Sequence, residues 1–354
     1  MENITQLNPL QIANQVSSAV TVNYDYYYDE EEMIFHQTLQ KRLNILFMVI
    51  YSVAFVLGVC GNGLVIFITG FRMKKTVNTV WFLNLAIADF TFTFFLPLTI
   101  AYIAQGFHWP FGEAMCKFNS TLAFINLYAS VYLLMVISID RCISVTCPVW
   151  AQNHRSPRLA SFVALGVWIL ALVLSSPNIH FRATKGDGDV IRCYNNYSHH
   201  LEQAKVSHRA MIISRFIFSF AIPFPVIIVC YGAIVLRLRR DRLASSTKPF
   251  KVITAVIVAF FICWLPYHVF SFLEIQSYED HTLHQILPIG IPLASSLAFI
   301  NSCLNPLLYV FMGHDFKERL RRSILSVFEN AFAEDVSQST AQTKTRSSVD
   351  SQGV

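Results

Sequence analysis

Long apolar stretches separated by short polar ones are the dominant pattern of this sequence. Seven stretches, each about 20 residues long or longer, contain almost no Asp, Glu, Lys or Arg. They run over Leu43–Thr69, Thr76–Gln105, Phe118–Ile139, Leu159–Ile179, Ala210–Leu236, Val252–Leu273 and Leu283–Met312. Because roughly 20 helical residues cross a hydrocarbon core of about 30 Å, the pattern predicts an all-α fold, a bundle of seven transmembrane helices over residues 43–312.

The segments outside these spans predict three further regions. Residues 1–42 form an acidic N-terminal tail, in which Met1–Leu10 lacks a basic start and an apolar run, so we expect no cleavable signal peptide. Residues 313–329 repeat apolar side chains at helical spacing among basic ones, which predicts a short amphipathic helix on the membrane surface. Residues 330–354 are rich in Ser and Thr and predict a disordered cytoplasmic tail.

Composition supports a membrane protein over a soluble one with buried helices. Hydrophobic residues make up 54% of the 354 residues and charged residues 14%, against roughly 25% charged in soluble domains. The net charge of +5 is modest and indicates no nucleic-acid partner. Neither a phosphate-binding glycine loop nor a zinc HExxH motif occurs, so no enzyme is expected. A transporter or channel is the remote alternative, because no repeat between halves is visible.

Most of the 27 Lys and Arg residues lie in the loops on one side of the seven spans. By the positive-inside rule that side is cytoplasmic, which predicts a multi-pass plasma-membrane protein with an extracellular N-terminus. Glycosylation sequons at Asn3 and Asn196 fall on the outer side, as this orientation requires. Of the eight cysteines, Cys116 and Cys193 alone lie outside the membrane on that side, where disulfides persist, so we expect a bridge between them.

Ionisable residues inside the spans mark candidate functional positions, because a charge in hydrocarbon is costly. Asp89 lies in mid-span among amide and hydroxyl side chains, which suits a sodium ion or a protonated switch; a structural hydrogen-bond network is the alternative. Arg215 in the fifth span and Glu274 at the outer end of the sixth could frame a pocket for a peptide with both charges. Snorkelling of Arg215 is the alternative.

Several motifs, in order along the chain, resemble those of the rhodopsin-like (class A) G-protein-coupled receptors. They are Gly61-Asn62, Leu85-Ala86-Ile87-Ala88-Asp89, Asp140-Arg141-Cys142, Trp168, Pro223 with Tyr231, Cys263-Trp264-Leu265-Pro266 and Asn305-Pro306-Leu307-Leu308-Tyr309. The resemblance implies that Trp264 is a toggle beneath the ligand pocket, next to Pro266. It implies that Asn305, Pro306 and Tyr309 rearrange on activation to meet Tyr231 and Arg141. It also implies an allosteric sodium ion on Asp89, Ser130 and Asn301, with no other cofactor or metal.

Two departures from the receptor pattern lie at the cytoplasmic face. Cys142 replaces the usual tyrosine after Asp140-Arg141, and Ser246 stands where some family members carry an acid that holds the arginine. We therefore expect the inactive state to depend on an Asp140–Arg141 pair, with some constitutive activity.

The sequence is more closely similar to the chemoattractant branch, which holds the formyl-peptide, anaphylatoxin and chemerin receptors. Cys193-Tyr194-Asn195-Asn196-Tyr197, Gly290-Ile291-Pro292-Leu293 and the pair of Arg215 with Glu274 favour the chemerin receptors. Phe124 stands where formyl-peptide receptors place an acid, so Phe124 and Ile291 are expected in the pocket with the two charges. A chemerin-like protein is the first ligand hypothesis; formyl peptides, a lipid mediator and a non-signalling decoy role are the alternatives.

The tails predict the remaining partners. The tyrosine and acid run Tyr24–Glu32, including Tyr26 and Tyr28, suits sulfation and would attract a basic ligand. The eight hydroxyls between Ser337 and Ser351 suit receptor kinases, and phosphorylation there would create an anionic segment for arrestin, as in this family. Chemoattractant resemblance implies a heterotrimeric G protein of the inhibitory class.

Overall fold

The computed structural model describes residues 30–198, 200–240, 248–277 and 283–312. Several predicted features lie outside the described residues: most of the N-terminal tail with Asn3, Tyr26 and Tyr28, the departure at Ser246, the amphipathic helix over 313–329, and the tail over 330–354. Tyr309 is described as part of a helix, without its side chain.

Helices account for nearly all of the described chain. They are α1 Glu30–Phe67, α2 Val77–Phe94, α3 Leu96–Ala104, α4 Gly112–Thr146, α5 Pro148–His154, α6 Pro157–Phe181, α7 Leu201–Phe216, α8 Pro223–Arg240, α9 Lys248–Gln276 and α10 Leu283–Met312. Seven spans within the described residues are long and apolar enough to cross a membrane: Thr38–Arg72, Val77–Ala104, Gly112–Thr146, Pro157–Phe181, Glu202–Arg240, Thr254–Gln276 and Ile286–Pro306. The predicted seven-helix bundle is confirmed, and α1 is already formed at Glu30, before the predicted end of the tail at residue 42.

Two spans contain a break in regular α-helix next to a proline. The second span changes from α2 to α3 at Phe95, two residues before Pro97. The fifth span widens into a π-helical turn at Ile217–Ala221, directly before α8 begins at Pro223. Proline removes one helical hydrogen bond and clashes with the carbonyl four residues earlier, so the helix adjusts locally. The turn in the fifth span lies directly after Arg215, which is buried in the bundle.

A two-stranded antiparallel hairpin between the fourth and fifth spans departs from the purely helical prediction. Strand β1 Arg182–Asp187 pairs with β2 Val190–Asn195, and Gly188 at the turn has φ +59°. The predicted disulfide joins Cys116 of the third span to Cys193 of β2, with 5.8 Å between the Cα atoms. The buried side chain of Trp109 packs against this disulfide. The hairpin is therefore fixed over the outer end of the bundle.

The third span, α4, forms the centre of the bundle. Leu127, Val131 and Leu133 are fully buried and belong to one apolar cluster with residues of the second, fourth, fifth, sixth and seventh spans. Large apolar side chains such as Phe162, Val229 and Ile262 are exposed on the outside of the helices. In a membrane such side chains face lipid, because the hydrocarbon chains are as apolar as the side chains. Buried polar groups are concentrated along the axis, where the candidate sites lie.

Candidate functional site

Arg215 lies in the outer half of the bundle, with 8% of its surface exposed. Its guanidinium carbon is 4.0 Å from the centroid of the Phe124 ring, within the range of a cation–π contact. Its Nη1 donates a hydrogen bond of 2.6 Å to the hydroxyl of Tyr267 in the sixth span. Arg215 is thus held by aromatic partners across three spans and points into the bundle instead of snorkelling to the membrane surface.

Glu274, the predicted anion of the pocket, contacts His208 and not Arg215. A Glu274 carboxylate oxygen is 3.6 Å from Nε2 of His208, and the side chain of Glu274 is 24% exposed. The ring of Tyr197 stacks on His208 with 4.9 Å between centroids. Among the described residues no carboxylate forms an ion pair with Arg215. The two predicted charges therefore lie in the same outer region without neutralising each other.

Arg182 is a second cation of this region, which the sequence reasoning missed. It donates to the hydroxyl of Ser120 at 2.7 Å and to Oδ1 of Asn195 at 2.9 Å. Burial lowers the pKa of Arg182, nearby Tyr197 raises it, and Arg215 adds to the lowering. Arg182 is the first residue of strand β1, so the hairpin places it in the region of Arg215.

Tyr197, which the sequence reasoning did not place in the site, packs against His208 and lies within electrostatic range of both arginines and Glu274. Burial raises the pKa of its phenol, with Arg215 and Arg182 opposing the rise and Glu274 adding to it. Its hydroxyl therefore stays protonated at physiological pH and can act as a neutral donor. Asn196, the neighbouring sequon residue, is half-buried, and its backbone N–H donates to the carbonyl of Phe181 at 2.6 Å.

Trp264, the predicted toggle, lies next to Tyr267, which contacts Arg215. The rings of Trp264 and Tyr267 meet edge to face with 5.8 Å between centroids, and Trp264 is buried against Phe260. Pro266 lies inside the same helix. Arg215 and Trp264 are therefore connected through Tyr267. Ile291 is half-buried in the seventh span.

A buried polar layer surrounds Asp89 in the middle of the bundle. Asn305 donates to Oδ2 of Asp89 at 2.6 Å, and Ser130 donates to Oδ1 of Asn126 at 2.9 Å. Within the described residues Oδ1 of Asp89 and Oδ1 of Asn301 are buried without a hydrogen-bond donor. Buried acceptors of this kind are costly when unsatisfied, and oxygen atoms are the ligands that a hard cation prefers. The residues present fit a sodium ion.

The expected Asp140–Arg141 pair near the end of the third span is wrong. Asp140 instead forms an ion pair with Arg155, which follows α5, at 2.8 Å. Arg141 donates to Oδ1 of Asn78 at 2.7 Å. The physical reason is competition: Arg155 reaches both carboxylate oxygens of Asp140 from another segment, and Arg141 is bound to Asn78 instead. No sequence pattern predicted Arg155 as the partner of Asp140 or Asn78 as the partner of Arg141.

The other residues expected to rearrange on activation lie on the seventh and fifth spans. Pro306 is buried inside α10, and a Cβ on Gly61 of the first span would be 3.0 Å from it. Tyr231 is half-buried in the fifth span, near Thr254 of the sixth span and Arg141 of the third. Their rearrangement on activation stays a prediction.

Seven membrane-length spans hold a group of polar residues around Arg215, a buried carboxylate at Asp89 and an arginine at Arg141, which is the arrangement of a heptahelical membrane protein. The family model of the 7 transmembrane receptor (rhodopsin family) matches residues 61–309. The chain is 47% identical to Chemerin-like receptor 1 of Mus musculus over 90% of this chain and 88% of that protein. It is 42% identical to the C3a anaphylatoxin chemotactic receptor of Danio rerio (93% and 91%) and 39% identical to Chemerin-like receptor 2 of Mus musculus (92% and 93%).

The chain therefore belongs to the rhodopsin family of seven-transmembrane receptors. It is a multi-pass membrane protein of the plasma membrane, and its family is not enzymatic. The receptor class predicted from the sequence motifs is confirmed, as is the prediction that the chain is not an enzyme.

Proposed function

We propose that this protein is a receptor for a chemotactic peptide or protein of the chemerin type. Relatives named as chemerin-like receptors and as an anaphylatoxin chemotactic receptor support this class of ligand. The observation that carries the proposal is the charge arrangement of the outer region: Arg215 is buried without a carboxylate partner among the described residues, beside Arg182.

Two guanidiniums of like charge in one enclosed region favour an anionic ligand group. A buried charge without a counter-charge costs several kcal/mol, which a ligand carboxylate offsets when it binds. Arginine forms bidentate bonds with carboxylates, so Arg215 and Arg182 suit the C-terminal carboxylate of a peptide. Glu274 then takes a basic ligand group in place of His208. Phe124 and Ile291 contribute apolar contact.

The alternative ligands use part of the same chemistry. A fatty-acid mediator offers the carboxylate for Arg215 and an apolar chain for the aromatic residues, but nothing for Glu274. A formyl peptide is less favoured because Phe124 covers the face of Arg215 where an acid is expected in that receptor type. A decoy receptor would bind the ligand without activating a G protein.

The remaining partners follow from the family and the sequence. We place the N-terminus outside the cell, with Tyr26 and Tyr28 presenting acidic, sulfatable groups to a basic ligand. Inside the cell the receptor couples to an inhibitory-class G protein through Arg141, and receptor kinases and arrestin act on the tail over 330–354. Glycans are carried at Asn3 and Asn196.

A sodium ion is proposed as the allosteric group in the middle of the bundle. Asp89, Ser130 and Asn301 would hold it, and the ion would supply positive charge to an otherwise unpaired buried carboxylate. Asp89 connects to the seventh span through Asn305, so an ion there stabilises one packing of that span over another.

Inhibition of cyclic AMP production in cells that express this chain tests the proposal. A C-terminal chemerin peptide should lower cyclic AMP in the wild type, and Arg141→Ala should abolish the response with surface expression intact. Silence of a surface-expressed wild type would refute chemerin signalling, and labelled-peptide binding on the same cells would then separate a decoy from a receptor for another ligand.

A further inference from the structure

Two guanidiniums, one carboxylate and one amide meet at the cytoplasmic ends of the second and third spans and the segment after α5. Arg155 donates through Nε to one carboxylate oxygen of Asp140 at 2.8 Å and through Nη2 to the other at 2.9 Å. The side chains of Arg155 and Asp140 are 29% and 11% exposed. A bidentate, half-buried pair of this kind is stronger than an exposed ion pair.

Arg141 is held far less firmly than Arg155. Its Nη2 donates to Oδ1 of Asn78 at 2.7 Å, and Arg155 donates to the same oxygen at 2.6 Å. Among the described residues no carboxylate forms an ion pair with Arg141. A single hydrogen bond to a neutral amide oxygen lacks both the opposite charge and the second bond that the bidentate pair of Arg155 with Asp140 has. The positive charge of Arg155 further repels Arg141.

We propose that Arg155 is a positioning residue that keeps Arg141 available to the cytoplasmic partner by occupying Asp140. The inference rests on the proposed G-protein coupling and concerns how the coupling arginine is kept free. Without Arg155, the mostly buried Asp140 carboxylate would lack a counter-charge, and Arg141 next to it in sequence is the nearest cation that could turn to it. Arg141 would then need to break an ion pair before it could dock.

Removing Arg155 should reduce coupling, because Asp140 captures Arg141. A network that acted as a brake on Arg141 would give the opposite sign, because removing Arg155 would release Arg141 and raise ligand-free activity.

Recruitment of Gα proteins of all four classes to the full-length receptor, without ligand and with the C-terminal chemerin peptide, measures the effect in cells. Arg155→Gln should lower both signals about 3- to 10-fold, the size of one charge-assisted hydrogen bond against a neutral one. Arg155→Lys should be intermediate, because an ammonium cannot form the same fork. Arg158→Gln, which removes the same charge from an exposed neighbour, is the matched control and should match the wild type.

The double variant Asp140→Asn with Arg155→Gln separates positioning from a structural defect. It removes the carboxylate that would capture Arg141, so recruitment should return to at least the wild-type level at equal surface expression. Increased recruitment in Arg155→Gln alone, or no recovery in a surface-expressed double variant, would overturn the proposal.

The ¹⁵N NMR signal of the Arg141 side chain in purified receptor gives a readout that needs neither ligand nor G protein. Arg155→Gln should move it to the position of a carboxylate-bound guanidinium, and Asp140→Asn in the same chain should move it back. An unchanged Arg141 signal in Arg155→Gln would overturn the proposal. Absent recruitment in the wild type would instead count against the proposed signalling function, while the NMR result still decides the role of Arg155.

Discussion

Single residues of the outer region carry the proposed ligand chemistry. Their types were visible in the sequence, whereas their contacts were not. Arg215 and Glu274 stand out because each is an ionisable residue in or at the end of an apolar span. Their contacts with Tyr267 and His208 depend on how the fifth and sixth spans face each other. Hydrophobic periodicity does not determine that rotation when lipid-facing and core-facing side chains are both apolar.

Glu274 separates a peptide ligand from a lipid ligand. Glu274→Gln keeps the size of the side chain and removes the charge that would pair with a basic ligand group. The affinity for a chemerin C-terminal peptide should fall about tenfold, the value of roughly 1.4 kcal/mol, and binding of a fatty-acid ligand should not change. Competition binding on intact cells measures both.

Glu113→Gln is the matched control for this substitution. Glu113 is an exposed outer residue that pairs with Lys117 at 2.6 Å, so its neutralisation should leave the affinity within about twofold of the wild type. Equal losses in the two variants would mean that Glu274 acts through the general outer charge and not as a contact.

Asp89 provides a test of the sodium site. Sodium should raise the unfolding temperature of purified wild-type receptor by about 2–4 °C relative to choline at equal ionic strength, because an ion that binds the folded state alone stabilises it. Asp89→Asn removes the charge, so this difference should disappear. A sodium effect of equal size in both proteins would contradict binding at Asp89.

Helices and strands were predictable to different degrees. The seven spans follow directly from the length and apolarity of the segments, since only a helix satisfies its own backbone in lipid. The hairpin β1–β2 was missed because its strands are short, and its polar residues give no clear alternation. Its disulfide was predictable by compartment, and that bridge is what fixes the hairpin near the pocket.

Close packing of the sixth and seventh spans depends on Gly290. A Cβ at this position would overlap Cε1 of Phe270, so a shift of the ring or the helix would be required. Gly290→Ala should lower the stability of the purified receptor by about 1–3 kcal/mol, the usual cost of overpacking. Thermal unfolding in detergent is the measurement.

Gly232 in the fifth span supplies the comparison for Gly290. A Cβ there meets nothing within 4 Å, so Gly232→Ala should be neutral or stabilise the helix by up to about 1 kcal/mol. If Gly290→Ala behaves like Gly232→Ala, the contact with Phe270 does not limit the approach of the two spans.

The molecule as a whole joins three polar regions along one bundle axis. The outer region at Arg215 leads through Tyr267 to Trp264, Asp89 connects to the seventh span through Asn305, and Arg141 lies at the inner end. The order of these regions was predictable from the motifs. Pairings between separate segments, such as the ion pair of Arg155 with Asp140, were not predictable. The local sequence pattern does not determine which loop residue reaches which helix end.

The central claim is that the buried Arg215 receives the carboxylate of a peptide ligand. It is tested most directly by comparing a chemerin C-terminal peptide as the free acid and as the carboxamide on the wild type and on Arg215→Gln. The wild type should bind the acid at least about 30-fold more tightly, since a desolvated charge pair is worth 2 kcal/mol or more, and Arg215→Gln should lose this preference. Lys185→Gln, an exposed cation on the hairpin, should keep it. Equal affinity of the wild type for both peptides, or a preference that survives in Arg215→Gln, would contradict the account.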